Sequence, residues 1–261
     1  MQFVDTYKHK GLRKQLIEKL REDTRITNEF IFDAFESIPR HYFLDNAFVE
    51  QAYSNIAFQI GAGQTISHPI TVAFQTQLLD LQPNEKVLEI GTGSGFQTLI
   101  LFEMGVNVVS IERQRELYLK TKPLIENLIR HNKEIRRDVF QEQKLAVNSN
   151  ARLSKLEKME VLKRLDINYR AKHFSPRLIL GDGYLGSPTN APFDKIIVTC
   201  GAPTIPQALI DQLKPGGVMI IPVGEGSEQV MQRIVKNEEG SISIEEHGTF
   251  KFVPMLENIN K

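Results

Sequence analysis

The chain has 261 residues, with 32 Lys and Arg balanced by 32 Asp and Glu, one Cys and no Trp. At 41% hydrophobic and 25% charged it is ordinary globular material, which excludes global disorder. The single Cys excludes an internal disulfide and a thiolate zinc cluster.

In chain order, residues 12–21 read as a helix, with Leu12, Leu16, Ile17 and Leu20 on one face. A second helix is expected from an N-cap at Thr27 to Ile38, stopped by Pro39. Residues 53–68 read as irregular, with Gly61 and Gly63 as turn signals. Pro69 fits the first turn of a helix over Ile70–Leu81, with Ser67 close to its start. Pro83-Asn84 then precedes a short strand, Val87–Ile90, a glycine-rich turn, a helix over Phe96–Met104, and a β-branched strand, Val106–Ile111, ending on Glu112. This strand–helix–strand unit is the seed of a parallel sheet. Residues 113–130 read as helical despite Pro123, and 131–175 as polar, basic and strand-poor, with a turn at Asn148-Ser149-Asn150. Strands resume at Arg177–Leu180 and Phe193–Thr199. A helix over Ile205–Leu213 ends at Pro215-Gly216-Gly217, a strand follows at Val218–Val223, and two antiparallel strands lie within 229–236 and 241–252.

The net charge of zero excludes a uniformly basic nucleic-acid or membrane-surface binder. It is nevertheless the sum of unlike parts. Residues 1–112 carry 9 basic and 14 acidic side chains, a net of −5; residues 113–177 carry 17 and 8, a net of +9; residues 178–261 carry 6 and 10, a net of −4. The start has no apolar core of signal-peptide length and no long apolar run occurs, so cytoplasmic residence is the expectation.

The strongest local signal is Gly91-Thr92-Gly93-Ser94-Gly95, where a strand turns into a helix. Glycines there permit a tight turn and close approach of backbone to a ligand. Glu112, 17 residues beyond Gly95, stands where a carboxylate can accept from both ribose hydroxyls of a nucleoside. The spacing departs from the dinucleotide fingerprint Gly-x-Gly-x-x-Gly. It resembles motif I of Rossmann-like methyltransferases that use S-adenosylmethionine. In those enzymes acidic residues stand just before the glycines, at the end of the second strand and at the end of the third; here these are Glu89, Glu112 and Asp182.

A second signal lies upstream, Gly61-Ala62-Gly63-Gln64-Thr65-Ile66-Ser67. With it the resemblance narrows. The chain resembles the protein-L-isoaspartate O-methyltransferases, which repair isomerised aspartyl residues. It has their Gly-x-Gly-Gln-Thr-Ile-Ser segment, Leu-Glu-Ile-Gly-Thr-Gly-Ser-Gly at 88–95, Gly-Asp-Gly-Tyr at 181–184 and Ile-Ile-Val-Thr leading to Ala-Pro at 196–203. It also has Leu-Lys-Pro-Gly-Gly at 213–217, Ile-Pro-Val-Gly at 221–224 and Phe-Val-Pro at 252–254. The ordered match covers about 27–125 and 176–256. It departs at His68, where Gln is frequent, and at Cys200-Gly201, where Ala-Ala is common.

The resemblance implies an α/β, Rossmann-like methyltransferase fold. A mostly parallel sheet would carry helices on both faces and an antiparallel C-terminal hairpin. It implies Ser67 at the catalytic position, with Gln64, Thr65, Ile66, Glu89, Gly91, Thr92, Gly93, Ser94, Gly95, Glu112, Asp182, Gly183 and Gln229 at the cofactor. The cofactor would be S-adenosyl-L-methionine, with S-adenosyl-L-homocysteine as product. The partners would be age-damaged proteins and peptides containing isoaspartyl residues. No metal, nucleic acid or membrane partner is expected, and a monomer is. A carboxylate is already ionised at pH 7, so no general base is required.

Family members cross from the helix after Glu112 to Gly-Asp-Gly-Tyr quickly, whereas here 68 residues run from Arg113 to Leu180. One methyltransferase domain over 1–261 is therefore expected, with an N-terminal helical part, 1–82, and a basic helical insertion near 128–172. The basic middle leaves an alternative, an RNA-modifying methyltransferase. The stretch Val198-Thr199-Cys200-Gly201-Ala202-Pro203 fits the repair family instead, because it lacks the Asn/Asp-Pro-Pro-type motif of base-modifying enzymes.

Overall fold

A computed structural model describes residues 4–170 and 175–260. Helix α1 (Tyr7–Arg21) starts five residues before its apolar stripe, because Thr6 and His9 form a reciprocal cap over the polar first turn. Helix α2 (Glu29–Ser37) is capped by Asn28, not by Thr27 as expected; the Asn28 side chain accepts from Phe30 N. The Gln77 side chain takes the N–H groups of both Thr27 and Asn28, at 3.0 and 2.9 Å.

The stretch read as irregular holds a small antiparallel hairpin, β1 (Phe58–Gly61) and β2 (Gln64–Ile66). Residues 61–63 all have positive φ, so the turn is tight enough to pair strands of four and three residues. Helix α3 (Pro69–Leu79) follows, with Pro69 in its first turn as expected.

The main sheet comprises β3 (Lys86–Ile90), β4 (Asn107–Glu112), β5 (Arg177–Leu180), β6 (Phe193–Val198), β7 (Leu213–Val223), β8 (Gln229–Lys236) and β9 (Ile242–Phe250). Their spatial order is β5-β4-β3-β6-β7-β8-β9. The first five are parallel; β8 runs antiparallel to β7, and β9 to β8. The Pro-Gly-Gly expected to end the preceding helix lies instead at a register shift within β7: Phe193 faces Leu213, but Lys195 faces Val218.

Helix α4 (Phe96–Glu103) joins β3 to β4, and α7 (Gln207–Gln212) joins β6 to β7. Alternate residues of the sheet feed opposite faces. Leu88, Ile90, Ile196, Val198 and Met219 pack with Leu209 and Ile210 of α7. Val87, Val108, Ile197 and Ile220 pack with Leu79 of α3 and Leu101 of α4. A third cluster joins α1, α2 and α4, where the buried Phe96 ring meets Phe35 and Phe43 edge-on at 5.5 and 5.4 Å. Burying one such side chain contributes about 1.5–3 kcal/mol.

Helix α5 (Arg115–Ser149) is continuous through Pro123. Pro123 and Leu119 lie on its exposed face, where solvent can take the carbonyl that the proline leaves unpaired. A turn at Asn150–Ser154 leads into α6 (Lys155–Arg170), so the described part of the basic middle forms a helical pair. No helix among the described residues is long and apolar enough to cross a membrane.

Candidate active site

The chain runs outward from β3 through β4 to β5, then returns to the other side of β3 for β6. This leaves a crevice at the C-terminal ends of these strands, where open α/β sheets take ligands. The glycine turn occupies it. Gly91 has φ +97°, and a Cβ there would lie 2.5 Å from Thr199 Oγ1. Thr199 directs its hydroxyl at the carbonyls of Ile90 and Gly91, at 2.9 and 2.8 Å, tying the end of β3 to the end of β6. Gly95 has φ +88°, and a Cβ there would lie 2.6 Å from Ile125 Cδ1 on α5. The glycines therefore serve both the turn and the closeness of its neighbours.

Glu112 closes β4 at 4% exposure. One carboxylate oxygen accepts from Gly93 N and the other from Gln114 N, each at 2.7 Å. Burial pushes its carboxyl above the usual range, opposed by those backbone donors. Each oxygen keeps a second lone pair for a ligand. Glu89, one strand inward, is fully buried and accepts from Thr98 Oγ1 at 2.5 Å, while its other oxygen has no partner. Desolvation pushes it up to about 8, helped by the charge on Glu112 and opposed by the Ser110 and Thr98 hydroxyls. Thr92 is buried against Ser110, with the two hydroxyl oxygens 2.6 Å apart. Ser94 accepts from Phe96 N at 3.3 Å, at the start of α4.

Two recesses meet here. The larger has a cavity volume of about 60 Å³ and opens to solvent. Gln64, Thr65, Gly91, Gly93, Glu112 and Gly183 are among the residues that line it. The smaller, about 40 Å³, is lined by Thr65, Ile66, Ser67, Thr92, Ser94 and Phe96 among others. Thr65, Gly91, Gly93 and Thr199 border both. Ser67 is half-buried, and its hydroxyl has no hydrogen-bond partner among the described residues; its carbonyl accepts from Arg40 Nη2 at 2.8 Å.

Four expected site residues line neither recess: Glu89 and Gly95, which stand behind the glycine turn, and Asp182 and Gln229, which are engaged elsewhere. Asp182 accepts from Tyr184 N at 2.9 Å and from Asn258 N at 2.6 Å, and faces a groove on the far side of Gly183. Gln229 lines neither recess. Its amide donates to Gly226 O at 2.9 Å and accepts from Phe252 N at 3.1 Å.

The sequence reading did not assign the residues that roof the larger recess. After β9 the chain crosses the ends of β6, β4 and β5, placing Val253, Pro254, Met255 and Leu256 on the wall. Gly201 N donates to Val253 O and Met255 N to Gly201 O. Arg113 donates to the carbonyls of Asn258 and Glu257, at 2.9 and 3.2 Å. The Phe-Val-Pro motif was the available signal, but it named a segment rather than a position. Cys200 also lines this recess; burial pushes its thiol up to about 12, which keeps it neutral.

Away from the crevice, Asp5, His9 and His41 converge with potential ligand atoms within 4.8 Å of one another. Asp5 already receives both terminal nitrogens of Arg13, and both His41 ring nitrogens are taken, by Tyr53 Oη at 2.7 Å and Val4 O at 3.1 Å. The cluster fastens the N-terminal segment to the body of the fold.

The family model for protein-L-isoaspartate (D-aspartate) O-methyltransferase matches residues 11–260. The chain belongs to this family. A protein-L-isoaspartate O-methyltransferase of Flavobacterium psychrophilum is 46% identical over 256 residues, covering 98% of this chain and 99% of the relative. One from Cytophaga hutchinsonii is 43% identical, covering 97% and 94%. Among solved structures, a Plasmodium falciparum protein described as a protein-L-isoaspartate O-methyltransferase, in complex with S-adenosyl-L-homocysteine, superposes with a TM-score of 0.68. It is 22% identical and covers 94% of this chain and 99% of that one, which bears on the fold. The methyltransferase fold of the family is the one described above, with its mostly parallel seven-stranded sheet and antiparallel C-terminal strands.

Proposed function

We infer that the chain methylates the free carboxylate of L-isoaspartyl and D-aspartyl residues in damaged proteins, using S-adenosylmethionine, and so initiates their repair. Family membership at 46% identity over nearly the whole chain supports this activity. The observation that carries the assignment of the site is the meeting of the two recesses at Thr65, Gly91, Gly93 and Thr199. A cofactor in one and a carboxylate in the other would face each other there.

The residues of the larger recess fit the cofactor. A Cβ on Gly91 or Gly183 would strike Thr199 or Ile90 at 2.5 Å, so packing along the recess leaves no room for a side chain at either position. Glu112 offers its two remaining lone pairs to the ribose hydroxyls, in line with its burial at the end of β4. Gln64, Thr65 and Ile66 edge the site, and Thr92, Ser94 and Gly95 fix the turn. Glu89 is buried and lines neither recess, so it would act on the cofactor through the glycine turn it precedes. Asp182 and Gln229 act through the chain that roofs the recess. When bound, the cofactor supplies an electrophilic methyl group on a sulfonium.

The rest is done by the chain. Ser67 presents an unbonded hydroxyl that can donate to one oxygen of the substrate carboxylate and leave the other free to attack. It orients and does not become a nucleophile. The roof excludes water from a step in which opposite charges cancel, and alignment of the reacting atoms supplies the remainder.

The domain description belongs to the same reading: a single methyltransferase domain with an N-terminal helical part, 1–82, and an insertion near 128–172, of which residues up to 170 are described and lie in α5 and α6. We assign it to the cytoplasm as a monomer; the single Cys supports a reducing compartment. The test offers methyl-labelled S-adenosylmethionine with an isoaspartyl peptide, its aspartyl twin, and total RNA. Label is expected only in the isoaspartyl peptide, as a base-labile ester. Label confined to RNA overturns the reading.

A further inference from the structure

Arg40 is 1% exposed, yet no carboxylate pairs with it among the described residues. Its Nη2 donates to Ser67 O at 2.8 Å and Ile56 O at 3.3 Å, while Nε and Nη1 have no partner. Its guanidinium carbon lies 5.0 Å from the centre of the Phe96 ring. Ser67 and Phe96 both wall the smaller recess, so Arg40 sits one layer behind that wall.

Such a residue is costly. A buried cation loses its hydration, and proteins ordinarily return that loss through an anionic partner. Two carbonyls could be bridged by a neutral amide. A permanent positive charge needs a further reason, and none of the described carboxylates pairs with it. Desolvation lowers the Arg40 pKa to about 9, which still leaves it charged at pH 7.

We propose that Arg40 is the positioning residue for the substrate carboxylate: it fixes Ser67 through the Ser67 carbonyl, and its unpaired charge draws the isoaspartyl carboxylate into the smaller recess. This rests on the reading of that recess as the acceptor site. Phe96 intervenes, so Arg40 works through the field it sets up and through Ser67 and does not touch the substrate. The charge matters while the acceptor is anionic and matters little to the cofactor in the neighbouring recess.

The experiment compares Arg40→Met, which removes the charge at similar volume, with Arg40→Lys, which keeps it. Wild-type methylation of the isoaspartyl peptide is established first, so that failure of the recess assignment through loss of that activity is seen separately. Arg40→Met is expected to raise KM for the isoaspartyl peptide tenfold or more and, by releasing Ser67, to lower kcat as well, with the Kd for S-adenosylhomocysteine unchanged. Arg40→Lys is expected to restore most of the peptide KM. A purely structural arginine would lower Tm in both variants and leave peptide KM unchanged in the folded fraction, and that result overturns the proposal. If Arg40→Met does not fold, Arg40→Gln against Arg40→Lys gives the same contrast. Equal peptide KM in those two also overturns it.

Discussion

Glu112→Gln tests whether the carboxylate holds the cofactor or only the loop. Two backbone donors, Gly93 N and Gln114 N, reach separate oxygens at 2.7 Å. Glutamine keeps one oxygen and turns an NH2 toward the other donor. Leaving one buried N–H without an acceptor costs about 1–3 kcal/mol, which for a chain of this size lowers Tm by roughly 2–10 °C. The cofactor would lose more. Two charge-assisted bonds to ribose hydroxyls, about 1.5–3 kcal/mol each, become at most one neutral bond. A net loss of about 2–4 kcal/mol weakens binding roughly thirtyfold to several hundredfold. Calorimetric titration with S-adenosylhomocysteine, beside thermal melts, reads both quantities. A melt lowered as expected with Kd within threefold of wild type would mean that Glu112 braces the loop and binds no cofactor.

Glu89, pushed up to about 8 from 4.5, carries its proton in the folded chain where the unfolded chain has lost it, so its contribution to stability is complete below about pH 4.5 and disappears as pH rises through 8. Without cofactor, Glu89→Gln should therefore flatten the loss of stability between pH 5 and 9 by a few kcal/mol, at about 1.36 kcal/mol per pKa unit; equal slopes in denaturant titrations of the two proteins would refute this. Arg113→Ala frees the carbonyls of Glu257 and Asn258 from their clamp and should speed S-adenosylhomocysteine dissociation about tenfold in stopped flow, the equivalent of about 1.4 kcal/mol; an unchanged rate would show that this end of the roof does not gate the recess. Ser67→Ala should slow methyl transfer to an isoaspartyl peptide at least tenfold while cofactor Kd stays within twofold, and full activity would remove Ser67 from the mechanism. Replacing residues 130–170 by a short Gly/Ser linker should leave kcat/KM on a short isoaspartyl peptide within twofold, and loss of that activity would place the helical pair inside the catalytic unit.

The sheet was legible because its signals are local. Val87-Leu88-Glu89-Ile90 and Asn107–Ile111 are short apolar runs bounded by breakers, and the glycines between them announce a turn. Helix ends were less legible. Thr27 and Asn28 are equally good caps in sequence, and Gln77, 50 and 49 residues away, receives both their N–H groups while the Asn28 side chain takes the N–H of Phe30. The hairpin β1–β2 escaped because its strands are too short to show alternation, and three consecutive positive-φ residues hold it together. Arg40 could not be singled out, since its interest lies in the absence of a counterion, and an absence has no sequence pattern.

Gln229 has a local job different from the one the resemblance implies. The resemblance puts it at the edge of the cofactor, and the fold uses both halves of its amide elsewhere, on Gly226 O and Phe252 N. It packs beneath Gly201 so tightly that a Cβ on Gly201 would lie 2.7 Å from the Gln229 amide carbon. Gly201 in turn exchanges backbone hydrogen bonds with Val253 and Met255. The glutamine therefore sets the height of the roof, and Asp182, bound to Asn258 N, sets its far end. Both residues hold the last ten residues of the described chain, which roof the larger recess. Substitutions at either position should thus act on cofactor exchange before they act on the transfer step.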